Sequence, residues 1–255
     1  MIAALFAAYP QELKHIRKNC PSAQNPENPP FPLQGKHHPL CNVIAVQTGM
    51  GTANVEIAFR RVFQERRPDI VLSVGFGGAL YEDAGIGDIV WSSRSFLIRG
   101  QHEHLAEDAI PDSAMGRRIG EKLSERTASR EGHIVTLPEM MTKSKIKKML
   151  PGNLLPVCDM ETFYLARLSH QNRVPFLAVR SITDLLHEDV PPELLAVTDG
   201  VGRYRFSRAF GLLLTKPKLI PASVRLGKNA ARASKNLGKA MDALLEILSA
   251  FTAWE

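Results

Sequence analysis

A chain of 255 residues, 44% of them apolar and with no low-complexity linker, can bury one substantial core, so a single domain over 1–255 is predicted. The net charge of +6 comes from one segment: ten Lys/Arg and no Asp/Glu stand between Gly200 and Met241, leaving 22 basic against 26 acidic residues elsewhere. Aromatic residues thin out after Phe210, which disfavours nucleic acid as a partner, and three irregularly spaced cysteines, Cys20, Cys41 and Cys158, exclude a disulfide framework or a cysteine zinc site.

In chain order, Ile2 to Ala8 reads as a strand. No basic residue precedes it, so a signal peptide is not indicated, and no run reaches the ~18 apolar residues of a spanning helix. A cytoplasmic protein is expected. Gln11 to Lys18 reads as a helix start, and the Pro- and Asn-rich stretch Cys20 to Pro39 as an exposed loop or irregular hairpin. Val43 to Gln47 is a strand running into the turn Thr48-Gly-Met-Gly51, and Ala53 to Arg66 has helical spacing. Asp69 to Val74 is a buried strand that should end in a second glycine turn, Gly75-Phe-Gly-Gly78; Gly87 to Trp91 is another strand. Gln101-His-Glu-His104 lacks a third spaced ligand, so no metal is expected. Glu161 opens an amphipathic segment with Phe163, Leu165, Ala166 and Leu168, and Pro175 to Val179 is a short apolar strand that gives way to polar residues by Asp184. Strands alternating with helices in this way predict the α/β class: a three-layer α/β/α sandwich with a twisted, mostly parallel central sheet.

Two acids at the edges of apolar segments are the chemical signal. In an open α/β sheet, ligands bind beyond the strand ends, where Asp184 falls. Glu161 as a partner of a helix dipole and Asp184 as a turn cap remain as alternatives. Both glycine stretches would let a ligand approach the backbone, but neither is a G-x-G-x-x-G, which disfavours a dinucleotide-binding oxidoreductase.

Together these pieces resemble the nucleoside phosphorylase and nucleosidase superfamily, in particular the branch containing methylthioadenosine/S-adenosylhomocysteine nucleosidase. The resemblance runs from residue 1 to about residue 187. It rests on Glu12 after strand 1, Thr48-Gly-Met-Gly-Thr-Ala-Asn54, Pro68 to Leu80, Gly85-Ile-Gly-Asp-Ile-Val90, Asp159-Met-Glu161 and Val179-Arg-Ser-Ile-Thr-Asp184. Two departures stand out. Phe76 replaces a serine, and Met140, in Leu137-Pro-Glu-Met-Met141, replaces a base-stacking phenylalanine.

The resemblance implies cleavage of the N-ribosidic bond of a purine nucleoside, with Asp184 protonating the base from a dry strand-end site. It implies further that Glu161 and Met160 hold the ribose and that Glu12 activates water. Arg180 would orient that water or pair with one of these acids. Met140, Met141, Gly75, Phe76, Gly77, Thr48 and Gly49 would line the substrate. No cofactor is implied. Phosphate is kept as an alternative co-substrate, although the phosphate loop Gly-Asp-Pro-x-Arg has no counterpart in Ala8-Tyr-Pro-Gln-Glu12.

The stretch from His187 to Arg203, with Lys216-Pro-Lys218 and the basic helix after it, resembles the hopanoid-associated phosphorylase-like proteins, implicated in removing adenine from adenosylhopane. A phosphorylase, a futalosine hydrolase and a catalytically inert nucleoside-binding protein remain as alternatives. A homo-oligomer, a dimer first, is expected. From Ala222 to Ala250, Arg225, Lys228, Arg232, Lys235 and Lys239 fall within about 80° of helical arc. Leu226, Ala230, Ala233, Leu237, Met241, Leu244 and Leu248 lie opposite them, a pattern that serves either as a lid on the core with a solvated basic side or, with Arg203, Arg205 and Arg208, as contact with an anionic membrane.

Overall fold

A computed structural model describes residues 1–14, 32–34, 42–49, 51–98, 109–110, 112–139, 141–150, 154–188, 190–195, 212 and 215–251. Met140, Cys20, Cys41, Gln101 to His104, Arg203, Arg205 and Arg208 lie outside them, as does most of the stretch from Cys20 to Pro39.

Among the described residues eleven strands form one sheet: β1 (Ile2–Ala7), β2 (Pro32–Gln34), β3 (Asn42–Gln47), β4 (Ile70–Ala79), β5 (Ile89–Ser92), β6 (Ser95–Leu97), β7 (Ala109–Ile110), β8 (Ser129–Glu131), β9 (His133–Thr136), β10 (Pro156–Asp159) and β11 (Phe176–Asp184). The helices whose bounds fall among the described residues are α1 (Thr52–Glu65), α2 (Ala114–Arg126), α3 (Lys143–Lys148), α4 (Thr162–Gln171), α5 (Pro192–Leu195) and α6 (Ile220–Phe251). The pairings β1/β3, β1/β4, β4/β11, β9/β10, β6/β9 and β5/β8 are parallel, whereas β4/β10, β5/β11, β2/β3 and β6/β7 are antiparallel. Parallel strands need helices on both faces, and β1 is accordingly apolar throughout, whereas β4 and β11 break their apolar runs with the buried Ser73, Arg180, Ser181 and Asp184.

Alternation along β1 assigns the two faces. Ala3, Leu5 and Ala7 join the cluster beneath α2 and α6, while Ala4 and Phe6 join the one beneath α1 and α4. This is the expected three-layer arrangement. In α6, Ala233, Leu237, Met241, Leu244 and Leu248 are buried as their spacing requires, whereas Arg225, Lys228, Arg232, Lys235 and Lys239 are exposed.

The long strand β4 is where the sheet forks. Its first half pairs with β1 from Ala3↔Ile70 to Phe6↔Ser73, and its last residues pair with β10 at Cys158↔Gly78 and Val157↔Ala79. On its other side β11 runs its full length, from Phe176↔Val71 to Asp184↔Gly78. The second glycine stretch is therefore not a turn: Gly75-Phe-Gly-Gly78 continues the strand. Glycine is needed there because other side chains approach the backbone. A Cβ at Gly75 would stand 2.6 Å from Glu12 Oε1, one at Gly77 2.4 Å from Val157 Cγ1 and one at Gly78 2.5 Å from Asp184 Oδ2. Thr48 to Gly51 does turn, with φ of 71° at Gly49 and 96° at Gly51. Of the helix start expected over Gln11 to Lys18, residues 11–13 form a turn and Lys14 is helical, the rest lying outside the described residues.

Helix α2 approaches the sheet through small residues. Its cap Ser113 accepts hydrogen bonds through Oγ from Gly116 N and from Phe176 N of β11, both at 3.1 Å. A Cβ at Gly116 would lie 1.9 Å from the Phe176 carbonyl oxygen, and one at Gly120 would run into the Trp91 indole. Gly116→Ala gains about 1 kcal/mol of helix propensity, yet it must push backbone away from backbone, an overpacking cost of about 1–3 kcal/mol or more. The variant should melt several degrees below wild type; an unchanged or raised Tm would show that α2 can lift off without loss.

Candidate active site

The fork in β4 leaves backbone groups without a strand partner, and Glu12 fills the gap. β1 ends at Ala7, and the turn that follows is anchored by Leu13, fully buried in the core, and by Ser234 of α6, whose Oγ donates to the Gln11 carbonyl at 3.1 Å. Glu12 is thereby turned inward, 5% exposed. Phe76 N donates to its Oε1 and Tyr9 N to its Oε2, each at 2.8 Å. Burial pushes the Glu12 carboxyl up to about 7, against the opposing pull of these backbone donors and of the Arg180 charge.

Glu161 caps α4 and faces the same space. Its Oε1 accepts from Gly51 N at 3.4 Å, which ties it to the Thr48 to Gly51 turn. Its carboxyl is also pushed up, first by burial and then by the negative charge of Asp159, with Arg180 opposing and Glu12 adding to the rise. Thr48 is buried; its hydroxyl donates to backbone carbonyls, with Gly49 O at 2.8 Å and Ala7 O at 3.3 Å.

Beneath these acids lies Arg180, 3% exposed. Its Nε and Nη2 reach Asp159 Oδ2 at 3.0 and 2.6 Å, and Nη2 also donates to Ser73 Oγ at 2.8 Å and Thr162 Oγ1 at 2.5 Å. Nη1 donates to the carbonyls of Ser73 at 2.8 Å and Val179 at 3.0 Å. The arginine's ion pair is with Asp159, not with Glu161 or Asp184, and every nitrogen of the guanidinium has a protein partner. It therefore acts on Glu12 and Glu161 through its charge. Asp159 is itself held by Thr136 Oγ1 at 2.7 Å and by the amide and hydroxyl of Thr162.

Glu12, Thr48, Gly75, Phe76, Glu161 and Arg180 thus line one cavity, shared with Ala7, Ala8, Ser73 and Leu165. Its volume is about 20 Å³, room for one water molecule. Met160, half-buried at the bend before α4, Gly49 and Gly77 do not line it; Gly77 packs on Val157. Met141 is partly buried against a separate apolar cluster of Leu80, Ile98, Val135, Leu137, Ile146 and Leu186.

Asp184 ends β11 beside Gly78, four residues beyond Arg180. It is buried at this strand end, but with a cation beside it. Lys143 Nζ lies 2.5 Å from its Oδ2, and Thr183 Oγ1 donates to its Oδ1 at 2.7 Å. Sequence reading missed Asp159 as the arginine's partner, along with Lys143 and Thr183. A signal for Asp159 existed, since a buried arginine on a central strand demands a carboxylate and Asp159 is the acid ending another strand.

The chain is 26% identical over 174 residues to the 5′-methylthioadenosine/S-adenosylhomocysteine nucleosidase of Shewanella loihica, covering 62% of this chain and 73% of that protein. It is 26% identical to the enzyme of the same name from Staphylococcus saprophyticus, covering 58% and 70%. Among solved structures, the S-adenosylhomocysteine nucleosidase of Streptococcus pyogenes in complex with 5-methylthiotubericidin superposes with a TM-score of 0.69 at 17% identity, over 96% of each chain. A futalosine hydrolase mutant of Helicobacter pylori superposes with a TM-score of 0.63 at 16% identity, over 95% of this chain and 99% of that one. The model of the phosphorylase superfamily matches residues 3–208, and the chain belongs to that superfamily.

Proposed function

We propose that the protein hydrolyses the N-ribosidic bond of an adenosine-type nucleoside modified at its 5′ carbon, releasing adenine. The observation that carries this reading is the pair of buried carboxyls, Glu12 and Glu161, facing one water-sized space. Breaking such a bond requires a protonated leaving base, stabilisation of an oxocarbenium-like sugar and a nucleophile on the opposite face, a division of labour parallel to that of glycosidases. Glu12 takes the proton from water, Glu161 with Met160 holds the ribose hydroxyls, and Asp184 serves the base. The nucleosidase names of the relatives support the same reaction.

Water is favoured over phosphate by charge. Arg180 is the one cation among the residues lining the cavity, and its nitrogens are already bonded, so a phosphate dianion entering there would meet two carboxyls and no free donor fork. Adenine release from 5′-methylthioadenosine should therefore proceed in phosphate-free buffer and yield a free reducing sugar. A requirement for phosphate, with a sugar 1-phosphate as product, would make the protein a phosphorylase; release of hypoxanthine from futalosine in preference to adenine would make it a futalosine hydrolase.

Glu12 must be ionised to act as base. Its carboxyl sits at about 7, so kcat/KM should rise with pH through about 7, and Glu12→Gln should lose that rise along with most of the activity. In stability the sign is opposite. The folded value lies above the ordinary 4.5, so the contribution of the protonated group is fully present below about pH 4.5 and is lost as pH rises through about 7. A flat rate profile between pH 5 and 8 would remove Glu12 from the base role.

The nucleoside we favour carries a lipid 5′ substituent, adenosylhopane in hopanoid synthesis, and the enzyme is a cytoplasmic homodimer that works at an anionic membrane surface. The exposed stripe Arg225, Lys228, Arg232, Lys235 and Lys239, together with the exposed Ile220 and Val224 at the start of α6, supports that placement. Among the described residues no helix is long and apolar enough to cross a membrane. Attachment should then be reversible and salt-sensitive, at about 1 kcal/mol for each basic residue near the surface. Equal and negligible sedimentation with anionic and neutral vesicles at low salt would leave the stripe as a solvated face.

A further inference from the structure

A buried lysine stands behind Asp184. Lys143 belongs to the basic run Lys143-Ser-Lys-Ile-Lys-Lys148, in which Lys145, Lys147 and Lys148 are exposed as a solvated run should be. Lys143 alone is turned inward, its side chain 6% exposed. Its Nζ donates to the Leu185 carbonyl at 2.5 Å and lies 2.5 Å from Asp184 Oδ2. The short helix α3 is fixed in this position by Ile146, fully buried among Leu137 and Leu186.

Exposure orders the two partners. The Asp184 side chain keeps 13% of its surface and Lys143 6%, so the aspartate is the more accessible of the two and the lysine the more buried. Thr183 Oγ1 occupies the other carboxylate oxygen. The neighbouring titratable group is Cys158, whose Sγ donates to the Gly78 carbonyl at 3.4 Å; burial pushes its thiol up to about 12, so it stays neutral and does not compete for the pair's proton. A lone structural brace at a strand end has no need of a desolvated ammonium, because burying one is costly and an apolar side chain of similar volume would pack as well.

Resting on the nucleosidase reading, we propose that Lys143 is a positioning residue for Asp184 that also holds the proton destined for the leaving purine. As the bond from C1′ to N9 breaks, its electron pair goes to the purine. A proton passes from Lys143 Nζ by way of the Asp184 carboxylate to N7, leaving carboxylate and neutral amine. Water adds to C1′ and gives its proton to Glu12. Glu12 returns a proton to solvent and Lys143 takes one up, so that nucleoside and water become base and free sugar with no net change in the protein.

The test compares leaving groups. In the full-length protein, Lys143→Met should slow adenine release from 5′-methylthioadenosine by about 10²-fold or more, the usual worth of leaving-group protonation. It should slow p-nitrophenyl β-riboside, whose leaving group needs no proton, at least tenfold less. Ethylamine added to Lys143→Ala should restore part of the adenine release, and none in Asp184→Asn. Should Lys143→Met fail to fold, Lys143→Gln, which still fills the space and donates to Leu185, takes its place in the same comparison. Equal losses on the two substrates, or no restoration by ethylamine, would make Lys143 a structural brace and overturn the proposal. Wild-type protein that releases no leaving group from either substrate would overturn the nucleosidase reading instead.

Discussion

The buried guanidinium of Arg180 is the constraint around which the site is built. A charge at 3% exposure is tolerable only when it is paired and its donors are satisfied, and here that requirement draws together four elements: Ser73 of β4, Asp159 of β10, Arg180's own strand β11 and Thr162 at the start of α4. The consequence is geometric. β10 cannot shift along β4, and α4 cannot rotate about its axis, without leaving that charge unpaired. Glu161 caps α4, so the same network fixes one wall of the cavity. The positive charge also opposes the rise that burial imposes on the two glutamates, leading that opposition at Glu161 and standing behind the Tyr9 and Phe76 amides at Glu12. Asp159 neutralises the arginine before any substrate arrives, which leaves the cavity balanced between two acids that resist ionising and one cation whose donors are already engaged.

Much of the fold could be read from apolar runs. Ile2 to Ala7 and Val43 to Gln47 became strands close to their expected bounds, because burial in a parallel sheet leaves an apolar signature, whereas the strand expected over Pro175 to Val179 runs on to Asp184 through polar residues that the apolar run does not announce. The misreading of Gly75-Phe-Gly-Gly78 has a clear cause. Glycine marks turns through its backbone freedom, but here it marks close approach by the side chains of Glu12, Val157 and Asp184, and those partners are distant in sequence. Local composition cannot distinguish the two uses.

The site was legible only in part for a related reason. Glu161 and Asp184 announced themselves by standing at the ends of apolar segments, whereas Glu12 sits in an unremarkable polar turn and was found through family resemblance alone. Lys143 was hidden in a run that reads as a solvated face, since nothing in Lys-Ser-Lys-Ile-Lys-Lys singles out the residue whose neighbours in space are Asp184 and Leu185. Asp159 was visible as a strand-end acid, but its role depends on Arg180 pointing into the sheet, which is a matter of strand register.

The fork in β4 explains why acids of opposite duty can work on one substrate. Where β4 parts from β1, Glu12 bonds the Phe76 amide; where β4 takes up β10 in its place, Asp184 of β11 lies against Gly78. Two residues of extended strand separate Phe76 from Gly78, about 7 Å at the usual rise. That span is comparable to the distance from a water attacking C1′ to the far edge of a purine leaving from the opposite face. Glu12 is held by backbone amides and touched by no cation; Asp184 is backed by an ammonium. In the proposed reaction the first environment suits taking up a proton from a neutral water, and the second sets an ammonium behind the carboxylate that would serve the base. One strand, by changing partners midway, holds both environments at a fixed distance without requiring either to move.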